Sequence, residues 1–227
     1  MIKAVIFDLD DTLIAEREWM HSGYAAVAAY VISCGISDRA PSELVAMMHE
    51  CYERDSRHVF DGLAGQLGVD DPQRASFPKS CADVYRHHTP ELPTAEAGRA
   101  AIASCRPFYR LVIATGGYAV AQRAKVLAGG FAPLVDAVQY SDDLPAECEK
   151  PHVRWFERAA ELAGVHTQEC VHVADNPLKD FEPARSLGMR TIRVRRPDGI
   201  QRDLESAAVD VEVVDIGEVA GVLAKWR

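Results

Sequence analysis

Four short stretches hold the residues from which chemistry could be assembled: Asp8-x-Asp10-x-Thr12, Thr115-Gly116-Gly117, Lys150-Pro151 and Asp175-Asn176-x-x-x-Asp180. Together they supply carboxylates, a lysine, threonine hydroxyls and backbone N–H groups that glycine leaves accessible. Hard carboxylate and carbonyl oxygens select Mg²⁺, which prefers octahedral geometry and keeps several of its waters. One carboxylate could then act as a nucleophile towards phosphorus and form an aspartyl phosphate. The lysine, the Thr115 hydroxyl and the Gly116 and Gly117 amides at a helix N-terminus suit the phosphoryl oxygens. Each stretch alone also has a plain structural reading. Asp10-Asp11-Thr12 and Thr115-Gly116-Gly117 could be turns, Lys150 a surface lysine before a helix, and Asp175 and Asp180 helix caps. Asp11 itself reads as a solvated acid.

For these stretches to meet, the chain must bring strand ends together. Ala4 to Phe7 is an apolar, partly β-branched run of the kind buried on both faces of a parallel sheet, and the acids begin where it stops. Leu111 to Ala114, Val135 to Gln139, Val171 to Ala174, Thr191 to Val194 and Val211 to Val214 read as further strands. Between them Ala95 to Ser104, Tyr118 to Leu127, Pro151 to Ala163, Leu178 to Leu187 and Ile216 to Trp226 read as helices. This alternation predicts an α/β fold, a doubly wound parallel sheet with right-handed crossovers, whose strand ends converge on one crevice. From Glu16 to His88 only helical signals appear: Glu16 to Cys34, a start at Pro41, Phe60 to Leu67 ending at Gly68, and a start at Asp71-Pro72. A stretch that long is no ordinary connection. It predicts an inserted α-helical cap over residues 15–91, with residues 1–14 and 92–227 forming the Rossmann-like core and Pro90-Glu91-Leu92-Pro93 serving as a hinge.

Composition narrows the partners. A formal net charge of −9 over 227 residues, without a basic patch, speaks against nucleic-acid binding. The longest apolar run, Tyr24 to Ile32, is far short of the roughly 20 residues of a membrane span. The N-terminus enters a strand without the basic region and apolar core of a signal peptide. The six cysteines show no C-x-x-C pair, so they read as free thiols rather than zinc ligands or disulfides. A cytoplasmic protein that associates with neither membrane nor nucleic acid is expected. The histidines fall in no metal spacing; His87-His88 reads as solvated and His172 as a packed strand residue.

In the order and content of its motifs the chain resembles the haloacid dehalogenase superfamily, in its phosphatase branch. Phe7-Asp8-Leu9-Asp10-Asp11-Thr12-Leu13 matches that family's first motif residue for residue. The second-motif threonine falls on Thr115 and the third-motif lysine on Lys150. The fourth motif falls on Ala174-Asp175-Asn176-Pro177 and Asp180, with Ala174 where glycine is usual. The resemblance implies that Asp8 attacks phosphorus and that Asp10 protonates the leaving oxygen and later deprotonates water. It implies Mg²⁺ held by Asp8, the Asp10 main-chain carbonyl and Asp175, with Lys150 neutralising developing charge and Thr12, Asn176 and Asp180 in support. The activity implied is Mg²⁺-dependent hydrolysis of a small phosphorylated metabolite: a sugar phosphate, a nucleoside monophosphate or a phosphorylated small acid. A cap that closes over the site excludes large phosphoproteins, and Arg17, Trp19, Arg54, Arg57 and His58 are its candidate substrate contacts. The alternatives are a phosphomutase of the same superfamily and, from another class, a phosphate-accepting regulator of the receiver type. Dehalogenation is disfavoured, because the members that perform it lack the acid at Asp10.

Overall fold

The first strand shows why the sheet forms. Along Ala4–Phe7 (β1) successive side chains point to opposite faces, and both faces are covered. In the computed structural model, which describes residues 1–70 and 75–227, Val5 and Phe7 pack with Leu111, Ile113, Val171 and Val173 on one face. Ala4 and Ile6 pack with Val112, Ala114 and Cys170 on the other. A strand with no wet face has no use for polar alternation, which is why these segments read as continuous apolar runs. Each fully buried Val, Ile or Phe contributes roughly 1.5–3 kcal/mol relative to exposure.

In chain order the elements are α1 (Glu16–Ser33), α2 (Pro41–Arg54), α3 (Val59–Leu67), α4 (Phe77–His87), α5 (Ala95–Cys105), β2 (Arg110–Ala114), α6 (Ala119–Ala128), β3 (Ala137–Gln139), α7 (Val153–Ala163), β4 (Cys170–Ala174), α8 (Phe181–Ser186), β5 (Arg190–Val194), β6 (Val211–Val213) and α9 (Val219–Ala224). The strands form one sheet in the order β3-β2-β1-β4-β5-β6, and every pairing is parallel. Ile102 of α5, Val126 of α6 and Leu223 of α9 join the core on one face. Trp155, Phe156 and Ala160 of α7 and Ala184 of α8 cover the other. The doubly wound α/β sheet expected from the alternation is therefore present. Strand order runs outwards from β1 in both directions, which places the crevice of such a sheet at the carboxyl end of β1.

The chain divides into two compact units, Met1–Arg17 with Leu92–Arg227, and Glu18–Glu91. The first carries the whole sheet. In it Gly98 of α5 lies against the carbonyl of Leu13 at a distance that leaves no room for a Cβ, so the turn after β1 is clamped to a helix. Among the described residues the second unit holds helices and their connections, with no strand. Its interior holds Val27, Val31, Leu44, Met48, Leu63 and Cys81, with edge-on ring contacts between Tyr24 and Phe60 and between Phe60 and Tyr85. A Cβ at Gly23 would fall 2.5 Å from the Tyr85 ring, so α1 can pass α4 only at a glycine. The helix start expected at Asp71-Pro72 lies outside the described residues. Among the described residues no helix is long and apolar enough to cross a membrane.

Several boundaries move for local reasons. Helix α8 begins at Phe181 rather than Leu178, because Asn176 organises a turn first: its Oδ1 accepts from the Leu178 N–H at 3.0 Å, and its carbonyl accepts from the Asp180 N–H at 3.2 Å. Strand β3 starts at Ala137, not Val135, because the Asp136 carboxylate rather than a main-chain carbonyl accepts from the Leu111 N–H, at 2.8 Å, and is held there by Arg106 and Arg110. Helix α7 starts at Val153 because the His152 ring caps it, accepting from Arg154 N–H at 3.1 Å. The closing segment opens with a 3-10 turn, Ile216–Glu218, before α9.

Candidate active site

The register fixes which residues share the carboxyl edge of the sheet. Phe7 lies opposite Ile113 of β2 and Val173 of β4, so Asp8 after β1, Thr115 after β2 and Asp175 after β4 fall within a residue of one another. The ladder extends past the strands through Asp8 N–H to the Val173 carbonyl at 2.8 Å and Thr115 N–H to the Gln139 carbonyl at 3.0 Å. Lys150 reaches this edge from the segment before α7; its peptide bond to Pro151 is cis.

Lys150 has a side chain 3% exposed, with its Nζ 2.7 Å from an oxygen of Asp8 and 2.7 Å from Asp180 Oδ1. The His172 ring also meets Asp180 Oδ1, at 3.0 Å; facing a carboxylate, Nε2 is the donor. Oxygens of Asp8, Asp175 and Asp180 lie within 4.8 Å of one another. Packing three acids around one lysine in a buried place shifts their titration. Burial pushes Asp175 up to about 9, helped by the charges of Asp8, Asp180 and Asp11. Burial also raises Asp8, against the pull of Lys150. At Asp180 burial is outweighed by Lys150 and His172, which hold the carboxyl below its ordinary range. At Lys150 burial is outweighed by Asp180 and Asp8, so the ammonium stays charged.

This donor set fits a hard divalent cation. The ligand atoms are all oxygens, the acids outnumber the local cation, and Asp180 Oδ2 is buried without a hydrogen-bond partner. The carboxylates that gather are those of Asp8, Asp175 and Asp180; the Asp10 carboxylate is not among them and turns instead to α6. Its oxygens accept from Lys125 Nζ at 2.7 and 2.9 Å and from Gln122 Nε2 at 3.0 Å.

Asp11 corrects the sequence reading. Far from solvated, it is 2% exposed and adopts a left-handed φ of 49°, which Asp tolerates better than most residues. Its carboxylate accepts from the N–H of Glu16 at 2.9 Å and of Ile200 at 2.8 Å, tying the turn after β1 to the loop after β5. Thr12 is fully buried.

Three of the four groups expected to hold phosphoryl oxygens already have partners, Lys150 in Asp8 and Asp180. The Thr115 hydroxyl donates to Gln122 Oε1 at 3.0 Å, and the Gly117 N–H donates to Ser141 Oγ at 2.9 Å. Gly116 stands differently: a Cβ built there would meet no atom within 4 Å, so its backbone borders open space.

Within the helical unit, Arg57 and His58 lie in the turn between α2 and α3 beside Asp55, whose carboxylate accepts from Arg57 N–H at 2.9 Å and meets His58 Nδ1 at 2.8 Å, while Arg54 at the end of α2 reaches Glu50 at 3.5 Å. Trp19 is not with them. It is 3% exposed and packed against Tyr85 and His88, so the structure makes it an interior residue of that unit rather than the surface contact expected. Arg17, in the sheet-bearing unit, donates to the Asp198 carbonyl at 3.2 Å. His88, expected in solvent, is 8% exposed and hydrogen-bonded to Ser22 and the Tyr85 carbonyl.

Gln122, Lys125, Ser141 and Arg193 escaped the sequence reading. Arg193, 1% exposed, donates to the main-chain carbonyl of Asp175 at 3.1 Å and so fixes that loop. The signal for Gln122 and Lys125 was present: they share a face with Ala121 and Val126, polar residues on the buried side of α6. His172 is buried in β4 as expected, and its bond to Asp180 gives it a second role.

Comparison with known proteins gives the family. A family model for haloacid dehalogenase-like hydrolases matches residues 2–188. The chain is 30% identical over 214 residues to a glyceraldehyde 3-phosphate phosphatase of Methanopyrus kandleri, covering 90% of this chain and 88% of that one. It is 34% identical over 151 residues to a phosphoserine phosphatase of Thermus thermophilus, covering 65% and 57%. Among solved structures, the HAD-hydrolase YfnB from Bacillus subtilis, bound to magnesium, has the same fold, with a TM-score of 0.69 over 98% of each chain at 14% identity.

Proposed function

Because the chain belongs to the haloacid dehalogenase-like hydrolases, we propose that it hydrolyses a small phosphorylated metabolite in two steps at the carboxyl end of β1. It is a phosphoric monoester hydrolase; the two steps and the substrate are our reading. In the first step an Asp8 oxygen bonds to phosphorus, the ester P–O bond breaks, and Asp10 gives its proton to the leaving oxygen. In the second, Asp10 takes a proton from water, the water oxygen bonds to phosphorus, and the Asp8–phosphorus bond breaks to release phosphate. Lys150, held charged between Asp8 and Asp180, offsets charge on the phosphoryl oxygens in both steps. The Gly116 backbone, bordered by open space, is the best placed of the loop amides to receive such an oxygen.

Asp8, Asp175 and the Asp10 main-chain carbonyl would hold Mg²⁺ beside Asp180, where the ion shields the nucleophile from the phosphate's charge. The observation that carries the reading is the pairing of Asp8 with buried Lys150 inside a triad of carboxylates.

The test is a phosphate-release screen over phosphorylated metabolites, begun with glyceraldehyde 3-phosphate and phosphoserine because those substrates name the relatives. Release that stops on chelation and resumes with Mg²⁺ is expected. Phosphoryl transfer back to a sugar without free phosphate would contradict the hydrolase reading and favour a mutase.

A further inference from the structure

Lys125 has no part in the reaction just described, yet it is 3% exposed. Taking an ammonium out of water costs several kcal/mol unless a partner compensates, so where it points is informative. It points at Asp10, with Nζ 2.7 Å from Oδ1 and 2.9 Å from Oδ2. One turn earlier on α6, Gln122 is 5% exposed and spans two site residues. Its Oε1 accepts from the Thr115 hydroxyl at 3.0 Å while its Nε2 donates to Asp10 Oδ2 at 3.0 Å. The amide fits only this way round, since reversal would set its oxygen against a carboxylate. Gly117 leaves space for it: a Cβ there would stand 3.3 Å from Nε2.

Two donors from one helix, in three hydrogen bonds, thus fix both oxygens of Asp10, and the same helix grips Thr115. We propose that Lys125 and Gln122 are positioning residues, which set the direction in which Asp10 presents its carboxyl group to the leaving oxygen and keep it in register with the loop at Thr115. This rests on the reading of Asp10 as acid and base. A lysine that only balanced a buried charge would affect all substrates alike. A positioning lysine affects them in proportion to how much the leaving oxygen needs a proton. Para-nitrophenolate departs with little help, whereas phenolate, a stronger base, depends on the donor.

The experiment compares Lys125→Met, Lys125→Arg and Gln122→Leu with Asp10→Asn on substituted phenyl phosphates, from para-nitrophenyl to unsubstituted phenyl, in Mg²⁺ and with circular dichroism as a check on folding. For Lys125→Met, kcat/KM is expected to fall about ten- to a hundredfold further on phenyl phosphate than on para-nitrophenyl phosphate. KM for the nitrophenyl ester should stay within about twofold. Gln122→Leu should steepen the same dependence, and Lys125→Arg, which keeps a cation able to grip a carboxylate, should recover most of the loss. If Lys125→Met does not fold, the Gln122→Leu slope decides. An equal loss across the series, with Asp10→Asn steep, overturns the positioning role. If Asp10→Asn itself is flat, it is the acid–base reading of Asp10 that fails.

Discussion

Replacing Lys150 by Met removes the cation around which the acids of the site are assembled, and its cost follows from the geometry. The side chain is 3% exposed and makes two ion pairs of 2.7 Å, to Asp8 and Asp180. Deleting one partner of a buried pair and leaving the other charged costs about 3–5 kcal/mol. At about 2–4 °C per kcal/mol for a chain of this size, the thermal midpoint should drop by about 6–20 °C. The loss has a pH signature. Lys150 lowers the titration of Asp8, Asp175 and Asp180, so without it Asp8 and Asp175 rise further above the unfolded carboxylate value near 4, and Asp180 loses the main pull that holds it below that value. An acid raised on folding weakens the fold as pH climbs above its unfolded value, and the penalty grows until its folded value is passed. The Asp180 share of the deficit is present at both pH 4.5 and pH 8, whereas the Asp8 and Asp175 share grows between them, so the deficit should be larger near pH 8 than near pH 4.5. Urea unfolding of wild type and Lys150→Met at both pH values, in chelator, measures it. A deficit under about 1 kcal/mol at pH 8, or one equal at the two pH values, would refute the electrostatic account of the site.

Asp11→Ala should cost about 2–4 kcal/mol, because it removes the acceptor of two backbone N–H groups and leaves alanine at φ 49°. A urea midpoint unchanged from wild type would show that Asp11 does not tie these loops. Glu16→Gln tests a second acid. Burial, followed by the charge of Asp10, pushes Glu16 up to about 7 from its ordinary 4.5, so the carboxyl weakens folding progressively between those values. The amide should stabilise the protein at pH 8 and be neutral below about pH 4. A variant less stable than wild type at pH 8 would mean that Glu16 gains more from its surroundings than burial takes away.

How much was legible depended on whether a signal was local. The strands were, since β1, β2 and β4 are buried on both faces and show it as unbroken apolar runs. Asp8, Lys150, Asp175 and Asp180 could be grouped only because four motifs occur in order at strand ends; a lone lysine before a proline carries no such information. Asp11 was misread because an acid in a turn and an acid that ties two loops look alike until Ile200 is brought beside it. Trp19 and His88 were read as accessible because helical spacing does not reveal which face the neighbouring helix covers. Lys125 and Gln122 are the instructive omissions. Polar residues on the buried side of α6 broke the pattern, and such breaks mark residues with a partner worth finding.

The central claim is that Asp8 becomes phosphorylated. It can be read directly by quenching the enzyme with acid during turnover on para-nitrophenyl phosphate, reducing with borohydride and sequencing the N-terminal peptide by mass spectrometry. An acyl phosphate at Asp8 is reduced to homoserine, so the account predicts homoserine at position 8 in the wild type and none in Asp8→Asn, which should also release no phosphate. Steady turnover with Asp8 unmodified, or a reduced residue at Asp10, Asp175 or Asp180 instead, would contradict it.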